Sequence, residues 1–157
     1  MSKTEDQAFA LSLNEALTDT YRNLLKMEEK MLQQVNKYHL SINEYHALEA
    51  VTKLAPPQNT LSDVAAVLGV RRSSATVMMS KLESKGFVRR VRDTGDKRIV
   101  FIEPTAQGAE ANRLHHKFHL LMVKKLIRQF SPVEKDVLLR GILYLRDFFA
   151  KNSAFIK

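Results

Sequence analysis

The chain has 157 residues, of which 45% are hydrophobic and 27% are charged, and it carries a formal net charge of +8. It contains no cysteine, which excludes disulfides, thiol redox sensors and thiolate zinc sites. No apolar run reaches the roughly 18 residues of a membrane span, and the first residues lack the pattern of a secretory signal. We therefore expect one domain or one subunit of a small oligomer, in the cytoplasm, with no cofactor and no membrane contact.

The first predicted element is a long helix over residues 6–37. Apolar residues recur along it at nearly helical spacing, and neither Gly nor Pro interrupts them. A stripe of this length exceeds what one small core can bury, so it predicts a subunit interface.

Two shorter helices follow, each with a recognisable start. Ser41 and Glu44 have the spacing of a capping box, which predicts a helix to about Leu54, before Pro56 and Pro57. The segment that begins at Thr60 predicts a short helix that ends at Gly69.

The most informative segment lies between Leu61 and Ile102. Between Arg71 and Arg98 nine Lys or Arg residues face only three acids. The pattern predicts a helix over Arg71–Lys85 that is closed by Gly86 and is followed by a β-hairpin. A helix, a turn, a second helix and a basic hairpin in this order are typical of a surface that enters a DNA groove.

The predicted second helix of this segment has two different faces. Its inner stripe comprises Ala75, Met78, Met79 and Leu82. The opposite face is short-chained and polar, with no acid before Glu83, as a helix that approaches base edges requires. Taken alone, such a face also fits an ordinary solvated helix, and the basic hairpin behind it favours DNA binding.

The hairpin is predicted from two runs of alternating basic and apolar residues, Phe87–Arg92 and Lys97–Ile102, joined by a tight turn. Two more helices are expected after it, one from Thr105 to about Phe130 and one that begins at Ser131-Pro132-Val133-Glu134. The last helix is apolar on more than one face, which again predicts contact between subunits.

These motifs together resemble the MarR family of winged-helix transcription regulators. The resemblance rests on Leu61–Ala65, on Ser73–Thr76 with Lys81–Val88, and on the wing signature Asp93–Arg98. A narrower resemblance, carried mainly by Arg113–His119 and Met122–Lys125, is to the FabT-type repressors of fatty-acid synthesis genes. The resemblance to the MarR family implies a mainly α fold with a small β-hairpin (α+β), about six helices and a winged helix-turn-helix. It also implies a single subunit over 1–157, with a DNA-binding part at 41–103 and dimerisation helices at 6–37 and 105–152.

The resemblance also implies roles for individual residues. We expect the recognition helix and the wing to contact double-stranded DNA, and we expect Asp96 to orient Arg98. Relatives usually have Ser or Thr where this chain has Arg71, so Ser73 or Ser74 is expected to cap the helix instead, with a start shifted by two residues. The predicted DNA-binding set is Arg71, Arg72, Ser73, Ser74, Thr76, Val77, Lys81, Arg92, Asp96, Lys97 and Arg98.

Control by an effector rests mainly on resemblance. FabT-type proteins use long-chain acyl-acyl carrier protein as corepressor, and Met-rich helices are able to line a site for an acyl chain. An ordinary dimer core explains the same residues. The candidate ligand-binding set is Met27, Met31, His46, Leu114, His115, Phe118, His119 and Met122.

A metal site is the less favoured alternative. His115 and His119 lie four residues apart on one helix, and with His46 they would provide imidazole ligands for zinc. Polar contacts within a helix interface account for the same histidines, and we predict no metal.

The resemblance therefore implies a homodimeric repressor of fatty-acid synthesis genes that binds a palindromic operator. The alternatives are a MarR-type repressor that responds to zinc or a small aromatic ligand, a ligand-binding protein with a vestigial wing, and a non-specific nucleic-acid-binding protein. No enzymatic motif is present: we find no phosphate-binding Gly loop, no nucleophile elbow and no Cys-His pair.

Overall fold

The computed structural model describes residues 3–35 and 37–152. The described residues form two compact units that divide between Arg113 and Leu114. Helix α5 runs from the first unit into the second. The elements in chain order are α1 Lys3–Val35, α2 Ile42–Lys53, α3 Leu61–Leu68, α4 Arg72–Ser84, β1 Val88–Arg92, β2 Val100–Pro104, α5 Ala106–Leu126, a 3-10 helix Ile127–Gln129 and α6 Pro132–Asn152.

The predicted fold class, mainly helical with one small hairpin and six α-helices, is confirmed within the described residues. Two helix ends differ from the prediction. Helix α1 ends at Val35, with Lys37 in a turn, and the predicted Asn36 lies outside the described residues. Helix α5 ends at Leu126 because the chain tightens there into the 3-10 turn before Ser131.

The helix starts form as their sequences predict. The Ser41 hydroxyl accepts the backbone N–H of Glu44, and the Glu44 carboxylate accepts the backbone N–H of Ser41 at 2.8 Å. Thr60 and Asp63 make the same reciprocal pair at the start of α3. At α6 the Ser131 N–H donates to Glu134 at 2.8 Å. These bonds satisfy N–H groups that a helix start otherwise leaves without partners.

The first unit has one hydrophobic core of buried residues. Its members come mainly from α2, α3, α4, the hairpin and the start of α5. Each of these core side chains is almost completely buried. Its largest fully buried apolar side chains are Leu40, Leu48, Val51, Val64, Met79, Leu82, Phe87 and Ile102. Burying side chains of this size contributes about 1.5–3 kcal/mol each relative to exposure, so this core holds α4 and the hairpin together.

The hairpin is shifted along the chain from its predicted position. The second strand was predicted over Lys97–Ile102, whereas β2 comprises Val100–Pro104 and pairs with β1 so that Arg90 faces Ile102. Lys97, Arg98 and Ile99 belong to the connecting loop, because the side chains of Asp93 and Asp96 accept backbone N–H groups there instead of leaving them to a strand partner.

A buried asparagine ties the hairpin to the start of α3. The Ile102 N–H donates to the Asn59 carbonyl at 2.8 Å, and the Asn59 side-chain amide donates to the Ile102 carbonyl at 3.1 Å. Thr60 and Phe101 form an isolated β-bridge beside this pair. The backbone before α3 thereby acts as a short third partner of the hairpin.

Close packing makes Gly108 necessary near the start of α5. A Cβ atom at this position would lie 2.0 Å from the Phe87 carbonyl oxygen. The Thr105 hydroxyl donates to the Gly86 carbonyl at 2.7 Å and accepts the Gly108 N–H at 3.1 Å. The first turn of α5 is therefore held against the chain that leaves α4, at a distance that excludes any side chain.

The second unit contains the end of α5 and all of α6. None of the described residues of α6 is buried. Its exposed large apolar side chains are Val133, Val137, Leu139, Ile142, Leu143, Tyr144, Phe148 and Phe149. An apolar surface of this extent is unusual for a monomeric soluble protein. In the described part of the chain, no helix has the length and apolar character needed to cross a membrane.

Candidate nucleic-acid interface

Helix α4 begins at Arg72, and Arg71 occupies its N-cap position in an extended conformation without a side-chain capping bond. The expected two-residue shift, with Ser73 or Ser74 as the cap, is wrong. Gly69 explains this start: it adopts the left-handed conformation (φ 64°), and its N–H reaches back to Ala65 and Ala66, so the chain turns directly into α4. Arg71 is exposed at this helix start, and its predicted contact with DNA stays a prediction.

The two faces of α4 separate as predicted. Ala75, Met79 and Leu82 are buried, and Met78 is half-buried. All predicted DNA-contacting residues of this helix and its cap are exposed; these are Arg71, Arg72, Ser73, Ser74, Thr76, Val77 and Lys81. The helix thus presents a polar and basic surface whose backbone is fixed by the core behind it. Contact of these residues with DNA stays a prediction.

The predicted wing consists of β1, β2 and the connecting loop, residues 93–99. Two aspartates organise this loop. Asp93 Oδ2 accepts the N–H groups of Gly95 at 3.0 Å and Asp96 at 2.8 Å. These backbone bonds, that of Asp96 first, hold the pKa of Asp93 below its ordinary value. The ionised carboxylate is therefore the form that organises the loop, and its role was not anticipated from the sequence, although Asp93 belongs to the quoted wing signature.

Asp96 holds the next part of the loop. Its Oδ1 accepts the backbone N–H of Arg98 at 2.9 Å. The contact that the structure shows between these residues is thus with the backbone of Arg98 rather than with its guanidinium. Arg92, Lys97 and Arg98 are all exposed at or near this loop. The two aspartates shape the loop, and the basic side chains remain available for a polyanion.

A groove of about 580 Å³ lies between α4 and the wing. Three arginines line it, Arg72 from α4, Arg90 from β1 and Arg98 from the loop. Four hydroxyl side chains also line it: Thr60, Ser62, Thr76 and Ser80. Guanidinium and hydroxyl groups are the usual partners of DNA phosphate oxygens, so the groove has the chemistry of a site for the sugar-phosphate backbone.

Sequence reasoning missed four of these lining residues. Thr60 lies at a predicted helix start, Ser62 in a family motif and Arg90 in a predicted strand, and none of the four, Ser80 included, was assigned a DNA contact. For Arg90, strand alternation was the available signal. Arg90 lies on the same side of β1 as the buried Val88 and hence faces α4.

The candidate ligand residues of the first unit have separate surroundings. Met27 is exposed, while Met31 packs against the core. His46 Nε2 lies 3.8 Å from a carboxylate oxygen of the buried Glu28. Met31 therefore has a structural role that is sufficient to explain it.

In the second unit, His115 and His119 lie on one face of α5 with their Nε2 atoms 3.2 Å apart. The Phe118 ring meets the His119 ring edge-on at 5.5 Å. Leu114 is exposed and Met122 is half-buried. The predicted pairing of the two histidines on one helical face is present, and its use for a ligand or metal stays a prediction.

Comparison with known proteins identifies the family. The MarR family model matches residues 40–100. The structure of FabT from Streptococcus pneumoniae in complex with DNA is 34% identical, with a TM-score of 0.83 over 90% of this chain and 98% of that one. The chain belongs to the MarR family.

Other proteins resemble the chain at lower sequence identity. The HTH-type transcriptional regulator Hpr of Bacillus cytotoxicus is 29% identical over 143 residues, which are 90% of this chain and 70% of Hpr. A MarR family protein from Bacillus stearothermophilus shares the fold at 19% identity, with a TM-score of 0.78 over 92% of this chain and 97% of that one. This MarR-family chain is thus a DNA-binding transcriptional regulator and not an enzyme.

Proposed function

We propose that this MarR-family chain is a homodimeric repressor of fatty-acid synthesis genes, with long-chain acyl-acyl carrier protein as its corepressor. The observation that carries the proposal is the 34% identity to FabT, a protein whose structure was determined with DNA, over nearly the whole chain. The FabT-like motif at Arg113–His119 and Met122–Lys125 supports the same branch of the family.

The DNA part of the proposal rests on the surface described above. Exposed residues of α4 would enter the major groove, and Arg92, Lys97 and Arg98 would contact the neighbouring minor groove or its phosphates. A recognition helix held on a buried core suits a palindromic operator, because a two-fold dimer presents two such helices about one helical turn apart.

Dimerisation is supported by the apolar surfaces outside the winged part. Helix α1 exposes Phe9, Leu11 and Tyr21, and α6 exposes apolar side chains along its length. We assign 41–103 to DNA binding and 6–37 with 105–152 to the dimer, within a single subunit over 1–157. Since the partner is DNA, we place the protein in the cytoplasm.

The corepressor assignment has chemical support in charge and shape. Arg113, Lys117, Lys124 and Lys125 are exposed cations suited to an acidic carrier protein. Within the second unit, an acyl chain would contact the apolar candidates Leu114, Phe118 and Met122 of α5. Binding there would favour the spacing of the two recognition helices that fits DNA, and coupling of this kind is typically worth about 1–3 kcal/mol.

The deciding experiment measures affinity for a fatty-acid-gene operator with and without long-chain acyl-acyl carrier protein. We expect the acylated carrier to raise the affinity about 5- to 150-fold, and the unacylated carrier to have no effect. A scrambled duplex is the DNA control, for which a repressor should show an affinity lower by about 10³-fold or more. Equal affinity with and without the acylated carrier would contradict the corepressor assignment and leave the family unchanged.

Zinc-responsive repression is the second candidate function. The Nε2 atoms of His115 and His119 are 3.2 Å apart, close to the separation of about 3.3 Å between two ligands at about 2.0 Å from one tetrahedral Zn²⁺. Zinc-responsive repression is favoured over the acyl corepressor if added zinc raises operator affinity. This zinc effect should be lost in His119→Ala and retained in the neighbouring control His116→Ala. A small aromatic effector would instead release the operator when neither zinc nor the acylated carrier protein is present.

A further inference from the structure

One face of α4 carries an acid at its far end. Arg72, Thr76, Ser80 and Glu83 are spaced four, four and three residues apart and therefore form one stripe along the helix. The first three line the groove between α4 and the wing. An unpaired carboxylate at the end of this stripe would repel DNA phosphates.

Arg90 of β1 makes contact with the end of this stripe. Its Nη1 lies 2.7 Å from Glu83 Oε2, and its Nη2 donates to the Ser80 hydroxyl at 3.0 Å. Both side chains of the ion pair are only about one-third exposed, at 38% and 35%. One guanidinium therefore holds two residues of α4 at once, from a strand that belongs to the wing.

The backbone on either side of this contact is fixed. Arg90 lies opposite the buried Ile102 in the hairpin register and two residues after the buried Val88. Ser80 and Glu83 flank the buried Leu82 on α4. The ion pair thus joins two elements that the core supports, the predicted major-groove reader α4 and the hairpin that carries the predicted minor-groove residues.

We propose that Glu83 and Arg90 are positioning residues for DNA recognition, which set the angle of the wing relative to α4. The inference rests on the proposed function in that this surface binds an operator. The Arg90 guanidinium neutralises Glu83 at the end of the α4 stripe and donates a hydrogen bond to Ser80 of the same helix. The pair acts through Arg72, Thr76 and Arg98, which line the same groove.

The hairpin contains a natural control for this pair. Arg89 donates through Nε and Nη2 to Glu103 at 3.1 and 2.8 Å. These two residues face each other across the strands, so their ion pair links β1 to β2 and makes no connection to α4. Glu103→Gln and Glu83→Gln remove the same charge and each breaks one arginine pair, but only the second removes a contact between the hairpin and α4.

The test compares these variants on DNA sites selected by the wild-type protein from a random duplex library. Removing an acid by itself raises affinity for every DNA, because the protein becomes more positive. We expect Glu103→Gln to follow this rule. We expect Glu83→Gln to bind the selected site about five-fold more weakly while random DNA is bound at least as well as by the wild type, so that the specificity ratio falls.

A second variant separates positioning from direct phosphate contact. Arg90→Lys keeps the charge but cannot bridge Ser80 and Glu83 together. We expect it to lose affinity for the selected site to a similar degree, with the slope of log affinity against log salt unchanged. Thermal unfolding of each variant, followed by circular dichroism, identifies any loss that comes from unfolding.

Two results would overturn the positioning role. One is a Glu83→Gln variant that gains affinity for the selected site as Glu103→Gln does. The other is an Arg90→Gln variant whose salt slope falls by about one while the specificity ratio stays constant, since that would make Arg90 a phosphate ligand. A wild-type protein that enriches no sequence at all would instead contradict the proposed sequence-specific function, and the positioning role with it.

Discussion

The winged part of the chain and its C-terminal helix place their apolar side chains in opposite ways. In the winged part, Leu48, Val64, Met79, Leu82 and Ile102 are buried within one protomer. Helix α6 has no buried residue among those described and exposes large apolar side chains on several faces. The winged part therefore has the core it needs to hold its DNA-facing residues, whereas α6 lacks partners for its apolar surface. The proposed DNA-reading surface thus has its own hydrophobic core, and the exposed apolar surface of α6 fits the proposed dimer interface.

The sharpest test of the self-contained winged part is Gly108→Ala. The added Cβ would lie 2.0 Å from the Phe87 carbonyl oxygen, so α5 and the chain after α4 must separate. We expect a loss of about 3 kcal/mol of unfolding free energy, measured by urea denaturation.

The matched control is Gly141→Ala in α6, where a Cβ would meet nothing within 4 Å. Alanine is a better helix former than glycine, so we expect this variant to gain up to about 1 kcal/mol. Equal effects of the two substitutions would contradict the contrast between a tightly packed winged part and an open α6.

Assembly is tested by a charge on the exposed face of α6. Ile142→Glu should weaken dimerisation at least about 30-fold, because a carboxylate would be buried without a partner at the proposed interface. Sedimentation equilibrium measures this directly. Val67→Glu on α3, an equally exposed apolar position in the winged part, should leave the dimer intact. A dimer that survives Ile142→Glu unchanged would remove α6 from the interface.

The wing is tested by Arg98→Ala. Arg98 lines the groove beside α4, and loss of one phosphate contact should lower affinity for all DNA sequences about tenfold and reduce the salt slope by about one. Arg140→Ala removes the same charge from α6 and should leave the slope unchanged. An unaltered slope in Arg98→Ala would assign Arg98 to another role.

The smallest expected effect concerns the order of the wing loop and its dependence on pH. Backbone N–H donors hold the pKa of Asp93 below its ordinary value. The contribution of its carboxylate to loop order is therefore complete above the ordinary pKa and is lost only as the pH falls through the lowered value. DNA affinity should show no change from this group between about pH 6 and 8.

Asp93→Ala should lower DNA affinity about two- to threefold at neutral pH and speed amide exchange at Gly95 and Asp96, which donate to its carboxylate. Asp19→Ala on α1 changes the charge equally and should leave exchange in the wing loop unaffected. Unchanged exchange in Asp93→Ala would show that the loop is ordered by other contacts.

Much of the fold was predictable because its signals are local. A capping box connects residues three apart, so Ser41 with Glu44 and Ser131 with Glu134 identify helix starts without any knowledge of the rest of the chain. The buried face of α4 followed from helical periodicity in the same way. The second strand of the hairpin was displaced, because alternation continues through Lys97 and Arg98 while the side chains of Asp93 and Asp96 bond to the backbone of the loop.

The sequence alone therefore determined the order of the elements, the concentration of positive charge in residues 71–98 and the resemblance to the MarR family. Only the tertiary structure decided which basic residues face the groove and which are held by acids. Arg89 and Arg90 are adjacent and chemically identical, yet one pairs with Glu103 across the hairpin and the other with Glu83 on α4. The physical reason is that strand alternation sends neighbouring side chains to opposite faces, and the packing of the core determines what each face meets.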